Sequence, residues 1–120
     1  MATFPIVLVD ISANNPLESA NFYKEAFGWN IPDTSNPGYV MFSTEGGLNG
    51  FLVQAGGETY KPGDVVLYLG TDNIDADIAK IEQLGGKIVL AKTEVPGYGW
   101  YAFFTDLTGN RLGLFQAVQG

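Results

Sequence analysis

The sequence lacks cysteine and histidine and contains few basic residues. None of its 120 residues is a cysteine or a histidine. The missing cysteines exclude disulfides, thiolate metal sites and a cysteine nucleophile, and the missing histidines exclude the commonest general base and metal ligand. Six basic residues stand against 13 acidic ones, for a net charge of −7. We therefore expect no nucleic acid and no anionic membrane as partner, because both require a basic surface.

Long apolar runs are also missing. No stretch approaches the roughly 20 apolar residues that a membrane-spanning helix needs. The first residues carry no basic leader and reach an acid at Asp10, which predicts that there is no signal peptide and favours a cytoplasmic location. Hydrophobic residues make up 46% of the chain and aromatic residues 13%. This composition predicts one globular domain over residues 1–120 with a core of its own.

The first half of the chain shows one strand, one helix and further short strands. The apolar run from Phe4 to Ser12 predicts a buried strand. Asn15 and Pro16 are typical of a helix start, and Gly28 of a helix end, so we expect a helix over 16–27. Turn residues then separate three predicted short strands, at 29–32, 39–43 and 48–54.

The second half repeats this order. We expect a helix over 74–84 that is capped by Asn73, and strands at 64–70, 87–94, 100–105 and 111–116. At an offset of 58 residues Asn15 aligns with Asn73, and at an offset of 62 Tyr39 aligns with Tyr101. Self-similarity on caps and strand faces predicts two tandem β-α-β-β-β modules, with boundaries at 4–54 and 64–116 and a linker at 55–63.

Several segments make the chain similar to a known family. They are FYKEAFGW at 22–29, YLGTDNIDADIAKIEQLGGKIV at 68–89, and PGYGWYAFFTDLTGNRLGLFQ at 96–116, which includes DLTGN at 106–110. The chain resembles the vicinal-oxygen-chelate superfamily of glyoxalase I, the bleomycin and fosfomycin resistance proteins and the extradiol dioxygenases. The resemblance implies an α+β fold in which the two modules form curved, mostly antiparallel half-barrel sheets with the helices outside. It also implies a homodimer.

The resemblance further places four metal-ligand positions. In metal-dependent members, four side chains from the two modules hold a divalent ion. Carried over one at a time, these positions fall on Leu8, Val66 and Gly113 and, by the offset of 62, on Phe51. None of these side chains carries an oxygen or nitrogen donor, which divalent ions require. We therefore predict no metal and no other cofactor.

Alternation along the strands assigns a candidate ligand-binding face. Residues two positions apart share a face of a strand. The candidate ligand-binding residues are Leu8, Asp10, Phe51, Val66, Tyr68, Tyr101, Phe103, Arg111 and Phe115. Such a mostly aromatic cleft with few polar groups is typical of small-molecule sites and suits an aromatic or cationic ligand. The alternative is that these aromatics are core, and that Asp10 is a strand-end acid wetted by solvent or paired with Arg111.

Three functions remain open from the sequence. The first is a metal-free protein that binds a small molecule, like the resistance proteins. The second is a lyase or dioxygenase-like enzyme with an atypical site, in which Asp10, a tyrosine or a glutamate would serve as base. The third is a structural or regulatory protein with an empty cleft.

Overall fold

The computed structural model describes residues 3–118, which contain seven strands and two helices. The predicted α+β class is confirmed. Neither helix of the described residues is long and apolar enough to cross a membrane. The elements in chain order are β1 (Ile6–Ala13), α1 (Pro16–Phe27), β2 (Tyr39–Phe42), β3 (Asn49–Gln54), β4 (Val65–Gly70), α2 (Ile74–Gln83), β5 (Lys87–Val95), β6 (Gly99–Thr105) and β7 (Arg111–Ala117).

The chain divides into two compact units. The first unit is Leu8–Val66, and the second unit consists of residues 3–7 and 67–118. Both unit boundaries fall inside strands, because β1 and β4 each contribute residues to both units. The module boundaries at 4–54 and 64–116, with a linker at 55–63, stay predictions.

Helix α1 has the bounds that its caps predict. The Asn15 side chain accepts a hydrogen bond from the Glu18 amide at 3.2 Å, and Pro16 occupies the first turn. Gly28 ends the helix at φ 72, with its amide bonded to the Lys24 carbonyl at 2.9 Å. This left-handed backbone conformation favours glycine because it is strained for a residue with a Cβ.

The first unit packs α1 on one face of a three-stranded sheet. Strand β3 pairs in parallel with β1 and antiparallel with β2. Ala20 of α1 packs with Val40, Phe42 and Leu52, all of them buried. The Trp29 ring stacks on Phe42 with 4.3 Å between the ring centroids. The core of this unit therefore lies between α1 and the sheet.

The predicted strand at 29–32 is wrong. The structure has only an isolated bridge there, in which Asn30 and Ser43 exchange backbone hydrogen bonds of 3.0 and 2.9 Å. Pro32 follows shortly and has no amide to donate, so the pairing cannot extend.

The second unit repeats the arrangement with four strands. Strand β7 pairs in parallel with β4 and antiparallel with β6, and β6 pairs antiparallel with β5. Helix α2 ends at Gln83, one residue before the predicted end, and the Asn73 side chain caps it by accepting from the Ala76 amide at 3.1 Å. The core of the second unit consists of the buried residues Ile74, Ala102, Phe104 and Leu114.

The turn between β6 and β7 is organised by one carboxylate. Asp106 Oδ1 accepts the amides of Thr108, Gly109 and Asn110 at 2.9–3.0 Å, and Asp106 Oδ2 accepts the Asn110 side-chain amide at 3.1 Å. Gly109 adopts φ 102, which a residue with a Cβ rarely does. The DLTGN segment is therefore a turn held by Asp106.

This turn makes the stability of the protein depend on pH. The bonds from Asn110, first from its backbone and then from its side chain, hold the pKa of Asp106 below its ordinary value of 3.8. A carboxyl whose pKa is lower in the folded state binds its proton more weakly there. Its contribution is therefore complete above 3.8 and is lost as the pH falls through the folded-state pKa.

We expect Asp106→Asn to be less stable than the wild type at pH 6, and the difference to shrink as the pH falls below 3.8. Urea denaturation at a series of pH values measures both free energies of unfolding. Asn110→Ala, which removes only the side-chain donor, should show a smaller effect of the same sign. Parallel pH profiles for wild type and Asp106→Asn would contradict this assignment.

Candidate functional site

In the second unit, aromatic side chains collect on the face of the sheet opposite to α2. Tyr101 lies opposite Phe115, and both Tyr68 and Phe103 lie opposite Gly113. The ring centroids of Tyr68 and Phe103 are 5.8 Å apart, and those of Tyr101 and Phe103 are 5.5 Å apart. We define Tyr68, Tyr101, Phe103, Arg111 and Phe115 as the second-unit face. The structure thus brings together five of the nine predicted site residues.

Two of these aromatics are buried and two are accessible. Phe103 is 1% exposed and Tyr68 is 6% exposed, so both belong to the packed interior. Tyr101 and Phe115 are half-buried. A ligand on this face would therefore contact Tyr101 and Phe115, with the buried rings beneath them.

Gly113 creates the space in which the Tyr68 ring lies. A Cβ built at position 113 would lie 2.5 Å from Tyr68 Cδ2 and 2.6 Å from Tyr68 Cε2. Carbon atoms do not approach this closely, so a larger residue at 113 and the present position of the Tyr68 ring exclude each other. The ring occupies the space that a side chain at 113 would enter.

One cation borders the second-unit face. Arg111 is the only arginine in the sequence, and it begins β7 opposite Thr105. Its guanidinium carbon lies 5.1 Å from the centroid of the Phe103 ring, within the range of a cation–π interaction. Arg111 therefore adds a positive charge to an otherwise aromatic surface.

The first unit has a corresponding face on the side of its sheet opposite to α1. Phe51 lies opposite Asp10 on one side and opposite Met41 on the other. The Tyr39 ring meets Phe51 edge-on, with 6.0 Å between the centroids. Leu8 and Asp10 alternate with Val9, which packs against the helix-side core, so they share the side of Phe51. We define Leu8, Asp10, Tyr39, Met41 and Phe51 as the first-unit face.

Asp10 is buried, and a tyrosine hydroxyl covers it. It is 4% exposed and lies in the middle of β1, so the expectation of a strand-end acid wetted by solvent is wrong. The Tyr60 hydroxyl donates to Asp10 Oδ2 at 2.6 Å. A buried carboxylate is costly without such donors. Tyr60 therefore belongs to the surroundings of the candidate site.

Sequence reasoning missed Tyr60 because it lies in the segment predicted as a linker. The two residues are 50 positions apart, and the loop between β3 and β4 carries the tyrosine to the first-unit face. Only the chemistry of the residues could have indicated this contact. An acid inside an apolar strand needs a donor, and Tyr60 is the one aromatic residue in the sequence of segment 55–63, with a hydroxyl that can donate.

The four positions implied as metal ligands do not fit a metal ion. Leu8, Phe51 and Val66 have hydrocarbon side chains, and Val66 is 1% exposed. At the fourth position, Gly113, the Tyr68 ring already occupies the space that a carboxylate would need. Elsewhere in residues 3–118, no three acidic side chains gather into a group that could hold an ion.

The family is shown by comparison with known proteins. Residues 6–114 match the model of the Glyoxalase/Bleomycin resistance protein/Dioxygenase superfamily. The chain belongs to this superfamily, which confirms the resemblance found in its sequence.

Two relatives have about 30% identity to the chain. One is CFP32 of Mycobacterium tuberculosis, provisionally named a glyoxylase, which is 30% identical over an alignment of 115 positions that covers 91% of this chain and 44% of CFP32. The other is the anthracycline biosynthesis protein DnrV of Streptomyces peucetius, which is 30% identical over an alignment of 123 positions that covers 89% of this chain and 45% of DnrV. The chain therefore spans less than half the length of these relatives.

Solved structures share the fold. A methylmalonyl-CoA epimerase of Streptomyces coelicolor superposes with a TM-score of 0.74 at 18% identity, covering 98% of this chain and all of that one. A superfamily member from Vibrio splendidus gives a TM-score of 0.69 at 14% identity, covering 95% and 99% of the two chains.

The homodimer and the cytoplasmic location stay predictions.

Proposed function

We propose that this chain binds a planar aromatic small molecule on its second-unit face, without a metal ion. The observation that carries the proposal is the Tyr68 ring, which fills the space at Gly113 where the resemblance places a metal-binding acid. An aromatic ring at this place leaves no room at position 113 for a side chain that could bind a metal ion. Two half-buried rings, Tyr101 and Phe115, lie opposite each other on the same face and supply the contact area.

The side chains of the second-unit face favour a binding function over the lyase or dioxygenase alternative. The second-unit face contains rings, a tyrosine hydroxyl on each of Tyr68 and Tyr101, and the Arg111 guanidinium. An arginine stays protonated and does not act as a general base. The acid among the candidate residues, Asp10, belongs to the first-unit face and not to the second-unit face. These groups suit recognition of a ring better than abstraction of a proton.

The proposal is tested with 1-naphthalenemethanol, a neutral planar probe, by isothermal titration calorimetry. We expect one binding event in the wild type and an affinity about tenfold lower in Tyr101→Ala, because one aromatic contact is worth about 0.5–1.5 kcal/mol beyond its area. Tyr101 is half-buried, so its truncation removes no fully buried side chain.

The matched control is Tyr98→Ala, which removes a tyrosine that is 60% exposed in the turn before β6. It should bind the probe as the wild type does. Equal affinities of wild type and Tyr101→Ala, or no binding to the wild type, would remove the second-unit face from the function.

A further inference from the structure

The loop between β3 and β4 is fixed at both ends to the end of β1. The Ala55 amide donates to the Ala13 carbonyl at 2.8 Å, and the Ser12 amide donates to the Asp64 carbonyl at 3.1 Å. The Ser12 hydroxyl donates to the Lys61 carbonyl at 2.5 Å. Residues 55–64 therefore form a closed loop whose two ends cannot separate without breaking backbone pairing.

The middle of this loop is far less embedded than its ends. Residues 56–59 and 61–63 are exposed, and Gly56 and Gly63 adopt φ 107 and φ 95. The Gly56 amide donates to the Tyr60 carbonyl at 3.1 Å, which closes the loop on itself. Segments with few buried contacts open at small cost in free energy. Local opening of the loop tip (residues 56–63) breaks the bond from Tyr60 to Asp10 but leaves the backbone pairing at the two ends of the loop intact, so it costs less than unfolding of the unit.

Tyr60 is the half-buried side chain that this loop places over the first-unit face. Its hydroxyl reaches Asp10 Oδ2 at 2.6 Å. Phe51, the strand neighbour of Asp10, and Tyr39 form an aromatic pair on the same side of the sheet. A carboxylate next to aromatic rings is the combination that recognises an organic cation, because both the charge and the ring faces attract it.

We propose that Asp10 is the binding site of a primary ammonium group attached to a small aromatic ring, and that Tyr60 is a built-in competitor for it. With the loop closed, the Tyr60 hydroxyl donates to Asp10 Oδ2. When the ligand enters, its N–H groups take over this oxygen, its ring packs against Phe51 and Tyr39, and the loop tip moves away. The net charge of −7 draws cations rather than anions to the protein.

This site goes beyond the proposed function, because it uses the first-unit face and selects a charge. The probes are benzylammonium and its neutral counterpart benzyl alcohol, titrated by calorimetry at low salt. We expect benzylammonium to bind the wild type at least about tenfold more tightly than benzyl alcohol, since hydrogen bonds to charged groups are the stronger ones. Similar affinities for the two probes would overturn the proposal.

Tyr60→Phe keeps the ring and removes only the competing hydroxyl. It should bind benzylammonium about three- to tenfold more tightly than the wild type, because the population of the competent open loop rises. An affinity equal to or below that of the wild type would show that Tyr60 does not compete for Asp10. Tyr98→Phe is the matched control and should leave the affinity unchanged.

Asp10→Asn should abolish the preference for benzylammonium over benzyl alcohol, and a retained preference would overturn the proposal.

Hydrogen exchange in the wild type tests the proposal even if Asp10→Asn does not fold. Saturating benzylammonium should speed exchange of the Gly56 amide, whereas benzyl alcohol should not. Unchanged exchange with bound benzylammonium would show that the loop does not open. Failure of these tests would not affect the proposed function of the second-unit face, which is tested separately by the titration of Tyr101→Ala.

Discussion

Phe42→Ala should lower the free energy of unfolding by about 3–5 kcal/mol, the cost of emptying an aromatic site in a packed core. Phe42 is 1% exposed and stacks on Trp29 with 4.3 Å between the centroids. It also packs with Leu52, which is fully buried. Urea denaturation followed by tryptophan fluorescence measures the change, because Trp29 reports directly on the ring that is lost.

The matched control is Phe22→Ala on the outer side of α1. Phe22 is 60% exposed and has only edge contacts with the neighbouring rings of Tyr23 and Phe27 among its described ring contacts. We expect its truncation to change the free energy of unfolding by about 0.5 kcal/mol or less. Equal losses in the two variants would mean that the core of the first unit is not the one described.

A substitution at Gly113 should destabilise the protein through the ring of Tyr68. Gly113→Ala should destabilise the protein by about 1–3 kcal/mol, because the new methyl group must displace a ring that is packed in the interior. The Cβ would lie 2.5 Å from Tyr68 Cδ2, and Tyr68 is only 6% exposed. In the background of Tyr68→Ala, the same substitution should cost close to nothing, since the obstructing ring is gone.

A double-mutant cycle measures this coupling through four denaturation curves. Gly57→Ala is the glycine control, because a Cβ at that position would meet no atom within 4 Å. It should be neutral or slightly stabilising through the lower entropy of the unfolded chain. Additive effects of Gly113→Ala and Tyr68→Ala would show that the ring does not occupy the space at Gly113.

Much of the fold was predictable because its signals are local. Asn15 and Gly28 mark the two ends of α1 through capping and backbone conformation, which depend only on neighbouring residues. The Asn15 signal recurs at Asn73, which caps α2 as expected. The prediction of a strand at 29–32 failed for a local reason as well, because Pro32 lacks the amide that pairing beyond the single bridge at Asn30 would need.

The candidate site was less predictable because its decisive contacts are non-local. Alternation groups Tyr101 with Phe103, but both faces of β6 are apolar, and only the packing of α2 on Ala102 and Phe104 separates them. The contact between Tyr60 and Asp10 joins residues 50 positions apart and leaves no pattern in the sequence. The position of the Tyr68 ring at Gly113 likewise depends on pairing between β4 and β7.

Our proposal is that ligand recognition by this chain rests on aromatic rings and not on a metal ion. The most direct measurement is the calorimetric titration of 1-naphthalenemethanol into chelator-treated and untreated wild-type protein, with elemental analysis of both samples. We predict the same affinity in the two samples and no metal in stoichiometric amount. Stoichiometric metal in the untreated protein, together with loss of binding after chelation, would contradict the claim.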